Sequence, residues 1–279
     1  MQRSFHDCTD ITLKRIAGGY SGARTFLIDA HLQASEAGAE PEPFFVKLGT
    51  SVKLQVESNR FRAFAEHHIP WYLRPNFLPQ RSIFGVKEAI LVGSFVRGSS
   101  SLVDVARRGN GPALIRSLFE ETLANLYRQS RTIEQSSSRS LESALAEFSN
   151  HEKIPKERTR AAAEIFGGNE LDPQDLWWQI LSLPEQAWKN SSIHGDLHGE
   201  NVRVRKMDAI VIDFAEACHA PASADLANLE VWLAFDLAND QFSRDEWRAV
   251  IDELYLPRAV DASLNLDLTG QRSAATVTR

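Results

Sequence analysis

The chain has 279 residues, enough to bury a large core in one or two domains. Its apolar fraction of 43% and charged fraction of 24% are those of a globular protein, which argues against wholesale disorder. The net charge of −6 argues against a nucleic-acid-binding surface.

The cysteines and the apolar runs bear on where the protein works. Cys8 and Cys218 are far apart and have no CxxC partner, which argues against a disulfide framework and a cysteine-built zinc site. No apolar run approaches the roughly 18 residues of a membrane span, and the first ten residues lack the apolar core of a signal peptide. These features predict a cytoplasmic protein that has no membrane partner.

The first third of the chain has strand patterns. Residues 11–17 and 24–30 are strand-like and flank the glycine-rich stretch GGYSG at 18–22, which predicts a β-hairpin. Residues 44–49, FFVKLG, predict a short apolar strand that carries Lys47.

One helix interrupts these strands. Residues 53–68 have apolar side chains near helical spacing, and Pro70 is expected to end the helix. Residues 89–96 are a continuous apolar run of strand length. The first third is therefore predicted to be a small antiparallel sheet with one helix.

After a connector near residues 93–98, the pattern becomes helical. Residues 111–129 have Pro112 in the first turn and one apolar face, which predicts an amphipathic helix. The serine-rich stretch 136–140 predicts a loop, and residues 141–190 are expected to be irregularly helical.

The last part of the chain combines a hairpin with a helix. The segments NVRVRK and AIVIDF predict two short strands around Met207 and Asp208. Residues 223–239 are apolar almost all round, which predicts a buried helix, and the tail after Pro257 is polar and weakly patterned.

This order of elements predicts the fold class. Strands followed by helices, without regular alternation, favour α+β over a doubly wound sheet. We expect a β-rich N-lobe at residues 1–97 and a larger, mostly helical C-lobe at 98–279, which would contain the catalytic loop, a metal site and acceptor-binding helices. The junction of two lobes would leave a cleft for a small molecule.

A cluster of polar residues, HGDLHGEN, occupies positions 194–201, and the segment VIDF follows. The residue types suit phosphoryl transfer, which needs a group to accept the hydroxyl proton and oxygen ligands for magnesium. Asp196 is the candidate base, and Asn201 and Asp213 are hard oxygen donors for Mg²⁺.

The N-terminal third adds candidates for binding the nucleotide. The loop expected to cover the phosphates consists of Gly18, Gly19, Tyr20, Ser21 and Gly22. Lys47 could reach the phosphates, and Glu57, on the following helix, could hold that lysine in place. Each element alone is a weak signal, but their order along the chain favours a kinase.

HGDLHGEN followed by VIDF resembles the catalytic and metal motifs of the aminoglycoside phosphotransferase and choline kinase group, relatives of the protein kinases. The resemblance implies a bilobal kinase-like fold, ATP or another nucleoside triphosphate as donor, magnesium as cofactor and a small-molecule hydroxyl acceptor. The resemblance implies that Asp196 is the catalytic aspartate. It also implies that Asn201 and Asp213 bind the metal and that Lys47 contacts the phosphates. We also assign Ser94 and Val96, in the connector, to the nucleotide site.

Two features depart from the protein-kinase pattern. Phe214 is followed by Ala215 rather than glycine, and Gly195 stands where a protein kinase has arginine. The second departure favours a small-molecule acceptor. The segment FAEACHAPASADLANLE also resembles kinase-like domains of larger bacterial proteins, which are labelled ternary complex associated domains.

Two other functions fit parts of the sequence. His194, Asp196 and His198 alternate and, with His219, could ligate zinc or manganese in a hydrolase. Alternatively, the chain is a kinase-like module that binds nucleotide without turnover and regulates a larger bacterial system. In that case the tail after Pro257 could lead to another domain or bind a protein partner.

Overall fold

The structure is a computed structural model, and its description covers most of the chain. The described residues are 1–16, 23–32, 43–109, 111–128, 138–139, 155–166, 172–184, 186–187, 190–235 and 244–255. The glycine-rich stretch 18–22 and the tail after Pro257 lie outside them. No helix in the described ranges has the length and apolar character needed to cross a bilayer.

Five antiparallel strands form a sheet in the N-terminal third. They are β1 (Cys8–Arg15), β2 (Arg24–Leu32), β3 (Phe44–Thr50), β4 (Ile83–Phe84) and β5 (Glu88–Ser94). Their order across the sheet is β1-β2-β3-β5-β4. The apolar residues of β3 fill the middle of the sheet, whereas β1 is an edge strand with mostly exposed side chains. The predicted hairpin partners and both later strands are confirmed.

One helix packs on this sheet. α1 (Ser51–Arg60) follows β3 directly and continues as a π-helical turn, Phe61–Ala65. In that turn the Glu66 amide donates to the Phe61 carbonyl at 2.9 Å, a bond that spans one residue more than in an α-helix. The predicted helix over 53–68 is therefore present, but it begins earlier and its last part is not regular α-helix.

The remaining described strands and α-helices are short. They are β6 (Ser100–Ser101), α2 (Leu102–Ala106), α3 (Gly111–Ser117), α4 (Ala124–Arg128), β7 (Ser138–Arg139), α5 (Lys156–Phe166), α6 (Pro173–Leu181), β8 (Gln186–Ala187), β9 (Asn190–Ile193), β10 (Val202–Arg205), β11 (Asp208–Val211), β12 (Cys218–Pro221), α7 (Ser223–Phe235) and α8 (Arg244–Leu254). β10 pairs with both β11 and β6, β9 pairs with β12, and β7 pairs with β8. The predicted α+β class is confirmed.

Three local predictions were wrong in part. The helix expected over 111–129 is broken between α3 and α4 by a π turn, in which the Leu123 amide donates to the Leu118 carbonyl at 2.9 Å. Apolar periodicity reports which face is buried, but it does not detect one extra residue in a turn. Within the stretch expected to be a loop, Ser138–Arg139 forms a strand with Gln186–Ala187.

The third error concerns α7, which was expected to be buried on all sides. Leu229 and Leu233 are buried, but Leu226, Val231 and Phe235 are 50%, 51% and 43% exposed. One face of α7 packs into the core, and apolar composition alone does not say which face that is.

The core links the sheet to the HGDLHGEN loop through a column of rings. Phe77 lies 4.2 Å from Phe61, Phe61 lies 5.8 Å from Phe214, and Phe214 lies 5.1 Å from His194, measured between ring centroids. Phe61, Phe214 and His194 are almost fully buried. Aromatic contacts of this kind add to the burial energy of the rings, so the column ties α1 to the loop.

Candidate active site

Lys47 lies in the middle of β3, where its ammonium group is buried between two carboxylates. Lys47 Nζ is 2.6 Å from Glu57 Oε1 and 2.9 Å from Asp213 Oδ1. Glu57 is on α1, which follows β3 directly, so the short connection from strand to helix brings this pair together. The predicted contact between Lys47 and Glu57 is present in the structure.

The three groups set one another's charge. Burial disfavours the charged ammonium, but Asp213 and Glu57 outweigh it and raise the pKa of Lys47. Burial also pushes the pKa of Asp213 upward, yet attraction to Lys47 outweighs it and the pKa is lowered. For Glu57, burial dominates and the pKa is raised. A charged Lys47 paired with a charged Asp213 is therefore the stable arrangement at neutral pH.

The β10–β11 hairpin brings Asn201 next to the residue before Asp213. Val202 pairs with Val211, and the Ile212 amide donates to the Asn201 carbonyl at 2.9 Å. Asp213 itself has a φ of +64°, a left-handed conformation that few non-glycine residues adopt. The hairpin thus places two residues predicted to bind metal at the same end of two paired strands.

Asn201 also holds the candidate base. Its Nδ2 donates to the Asp196 carbonyl at 2.9 Å and to Asp196 Oδ2 at 3.3 Å. Partial burial, the largest cause, raises the pKa of Asp196, and His198 acts in the opposite direction. The Asp196 side chain is still 56% exposed, so a substrate can reach it.

The backbone before Asp196 is fixed by a residue that the sequence did not single out. Asp225, fully buried on α7, accepts hydrogen bonds from the amides of His194 (2.7 Å) and Gly195 (2.9 Å) and from the Tyr127 hydroxyl (2.9 Å). Burial and Asp225 raise the pKa of Tyr127, which keeps its hydroxyl a donor. The available signal was the carboxylate of Asp225 in the first turn of the largely apolar helix that begins SADLANL.

Both ring nitrogens of His194 lie within hydrogen-bonding distance of backbone groups, which indicates a structural role. Its Nε2 is 2.9 Å from the Ile212 carbonyl, and its Nδ1 is 3.3 Å from the Asp196 amide. Because a carbonyl only accepts and an amide only donates, the proton is on Nε2 and Nδ1 is the acceptor. Both nitrogens are used, so His194 has no lone pair for a metal. In the described part of the chain, no group of three His, Cys, Asp or Glu residues is placed to hold a metal ion. The transition-metal reading is therefore not supported.

His198 lies beside Asp196, against a tryptophan. Its Nδ1 accepts from the Glu200 amide at 3.3 Å, and its Nε2 is 3.7 Å from Asp196 Oδ2. The ring stacks on Trp232 of α7 with centroids 6.2 Å apart. A Cβ at Gly199 would lie 2.2 Å from the Trp232 ring, so glycine is required for this approach.

Gly195 is required for a different contact. It has a φ of +81°, and a Cβ there would lie 2.1 Å from the Glu216 carbonyl oxygen. The segment after Asp213 thus packs directly on the loop that carries Asp196. Arg60, at the end of α1, donates to the Ala215 carbonyl and lies 3.1 Å from Glu216 Oε2.

The other residues predicted to contact the nucleotide lie away from Lys47 in the sequence. Gly18, Gly19, Tyr20, Ser21 and Gly22 lie outside the described residues. Ser94 ends β5, where its hydroxyl accepts from the Asn76 amide at 2.9 Å. Val96 follows in the connector, where its side chain packs against the main core and its carbonyl accepts from the Ser99 hydroxyl.

The donor set fits a hard divalent cation. The Asn201 amide nitrogen is committed to Asp196, so its Oδ1 remains as an oxygen donor within the described residues. Asp213 gives one carboxylate oxygen to Lys47 and keeps a second. A neutral and an anionic oxygen on adjacent strand ends suit Mg²⁺, which takes few protein ligands.

Comparison with known sequences gives one family match. Residues 150–277 match the model described as Ternary complex associated domain 9. The matched segment, under half of the chain, contains Asp196, Asn201 and Asp213. It confirms the resemblance seen in FAEACHAPASADLANLE. No curated protein matches the chain in sequence.

Solved structures similar to the chain are kinases of small molecules. The streptomycin–ATP–APH(2″)-IIa ternary complex has a TM-score of 0.49 and 15% identity, covering 90% of this chain and 80% of that one. Aminoglycoside phosphotransferase APH(3″)-Id from Streptomyces rimosus ATCC10970, with ADP and streptomycin, has a TM-score of 0.48 and 16% identity, covering 99% and 94%. Choline kinase from Cryptosporidium parvum Iowa II has a TM-score of 0.42 and 14% identity, covering 79% and 62%. These proteins belong to the group that the HGDLHGEN motif resembles.

Proposed function

We propose that this protein is an ATP- and magnesium-dependent phosphotransferase that acts on a hydroxyl group of a small molecule. The observation that carries the proposal is the arrangement around Lys47. The buried ammonium group of Lys47 joins Glu57 to Asp213. Asn201, which lies beside Ile212 across the hairpin, donates to the exposed carboxylate of Asp196. A cation, two oxygen donors and a base are the parts that phosphoryl transfer requires.

Asp196 would accept the proton of the acceptor hydroxyl. Its exposed carboxylate can be approached by a substrate, and its raised pKa makes it a stronger base than an ordinary aspartate. The Asn201 amide and the backbone bonds to Asp225 hold it in one orientation, so little reorganisation is needed when the hydroxyl arrives.

Asn201 and Asp213 would hold the magnesium ion. Magnesium bound there would neutralise charge on the nucleotide phosphates. Lys47 has three N–H donors and uses two for carboxylates, so one remains for a phosphate oxygen. We assign residues 18–22, Ser94 and Val96 to nucleotide contacts, with lobes at residues 1–97 and 98–279.

Calorimetric titration with ATP tests the metal role. We expect ATP affinity to fall when EDTA replaces magnesium, and we expect Asp213→Asn to reduce the difference between the two conditions. A panel of amino sugars, choline-like amines and simple sugars, assayed for ADP release, then tests transfer. Equal ATP affinity with and without magnesium would contradict the assignment of Asn201 and Asp213.

A second candidate is a nucleotide-binding module without turnover. The match of residues 150–277 to a domain described as ternary complex associated favours it, because such a domain could act through a larger assembly. Metal-dependent ATP binding with no ADP release for any acceptor would favour this reading over the enzyme.

A further inference from the structure

Arg60 connects α1 to the segment that follows Asp213. It lies one helical turn after Glu57, and its Nη1 donates to the Ala215 carbonyl and to Glu216 Oε2 at 3.1 Å. α1 therefore acts on Asp213 indirectly, by two routes. Glu57 acts through Lys47 on the carboxylate, and Arg60 acts on the backbone two residues later.

The backbone at Asp213 needs such support. Its φ of +64° places a non-glycine residue in the left-handed region, which an unsupported chain leaves readily. Ala215 lies only two residues after Asp213, so its backbone position is linked to that of the Asp213 carboxylate. A shift of the 215–216 backbone would therefore change where that carboxylate lies.

The same segment also contacts Gly195. The Glu216 carbonyl occupies the space that a Cβ of Gly195 would fill, at 2.1 Å. Gly195 is itself fixed by its bond to Asp225 at 2.9 Å. The segment thus contacts a fixed glycine through the Glu216 carbonyl and the Arg60 guanidinium through the Ala215 carbonyl.

We propose that Arg60 is a positioning residue that clamps the 215–216 backbone against Gly195 and so keeps the Asp213 carboxylate placed for a metal ion. The inference rests on the proposed function for the presence of a metal ion, whereas the clamping of the backbone by Arg60 does not depend on that function. The Ala215 carbonyl is the main partner, because a backbone acceptor fixes the chain directly, whereas the Glu216 side chain is two-thirds exposed.

The test compares Arg60→Ala and Arg60→Lys with Arg62→Ala, a matched control on the same helix whose side chain is exposed. Hydrogen exchange of amides 213–217, without any ligand, reports on the clamp. Titration of Mn²⁺ with a non-hydrolysable ATP analogue, followed by electron paramagnetic resonance, reports on the metal site. For Arg60→Ala we expect faster exchange and about tenfold weaker Mn²⁺ binding, as is typical when a group supporting a ligand is removed.

Arg60→Lys should recover part of both effects, Glu216→Gln should retain most of the clamp, and Arg62→Ala should match the wild type. Unchanged exchange and unchanged Mn²⁺ affinity in a folded Arg60→Ala would overturn the clamp. If Arg60→Ala does not fold, Arg60→Gln replaces it, with the same two outcomes deciding. A wild type that binds no Mn²⁺ with the analogue would overturn the proposed function instead, and the exchange data would still decide whether Arg60 holds the segment.

Discussion

The two charged groups at the centre of the site are held in opposite ways. Lys47 lies inside the sheet, 10% exposed, and is fixed by ion pairs to two side chains. Asp196 lies on a loop, 56% exposed, and the loop is fixed through its backbone by Asp225. The cation is positioned by electrostatics in a buried site, and the carboxylate by hydrogen bonds beneath an accessible loop.

This difference follows from what each group would do. A cation that orients phosphates benefits from low exposure, because its interactions are stronger away from water. A base must meet its substrate, so burial of its side chain would block it. Fixing the backbone below the side chain keeps the base in position and leaves its carboxylate exposed to the substrate. The comparison predicts that substitution of Asp196 lowers phosphoryl transfer without lowering stability. Substitution of the buried residues that support its loop should lower stability as well.

The largest effect is expected for Asp196→Asn. The amide keeps the shape but cannot accept the hydroxyl proton, so phosphoryl transfer should fall on the order of 10²–10⁴-fold. Because the side chain is exposed, the melting temperature and ATP affinity should stay close to those of the wild type. Turnover and ATP titration on one preparation check this, and full transfer by the variant would exclude Asp196 as the base.

Asp225→Ala should be the most destabilising change beneath the loop. It leaves the buried amide of His194 and the half-buried amide of Gly195 without their acceptor, which we expect to cost on the order of 3 kcal/mol. Tyr127→Phe is the matched control, since it removes one of the three bonds and should cost about 1 kcal/mol. Urea unfolding measures both, and equal losses would mean that the two amides do not depend on Asp225.

Gly195→Ala should destabilise the protein by about 2–3 kcal/mol, because the new methyl group combines a left-handed backbone with a clash against Glu216. Gly98 has a φ of +67° with open space around it. Gly98→Ala should therefore cost only about 1–2 kcal/mol, the conformational part alone. If thermal unfolding gives the same loss for both variants, the contact with Glu216 is not a close one.

The smallest effect is expected for the partly exposed pair of Asp7 and Arg81, which serves as a comparison for the buried ion pairs of Lys47. Two hydrogen bonds from Arg81, at 2.8 and 2.7 Å, lower the pKa of Asp7 from 3.8 to about 2. The Asp7 side chain is 41% exposed, so Asp7→Asn should cost less than about 1 kcal/mol at neutral pH.

The pH dependence of that cost has a definite sign. The folded-state pKa of Asp7 is depressed, so its contribution is present above the unfolded pKa and is lost as pH falls from about 4 to about 2. The stability difference between wild type and Asp7→Asn should therefore shrink across this range. Urea unfolding at several pH values measures it, and a difference that grows on acidification would contradict the pairing.

The sequence by itself determined the parts of the site that follow from local order. A strand leading directly into a helix predicted that Lys47 and Glu57 meet. The hairpin predicted from NVRVRK and AIVIDF is also present, and it places Asn201 beside Ile212. Residue types predicted the chemistry, because carboxylate and amide oxygens suit magnesium.

Only the tertiary structure decided the contacts between distant segments. Asp225 reaches the loop from 30 residues away, and Arg60 reaches Ala215 across 155 positions. Neither contact has a local periodicity or motif that a sequence pattern could reveal. The π turns and the exposed face of α7 were missed for the same reason. An apolar pattern indicates that a face is buried, but it does not identify the segment that packs against it.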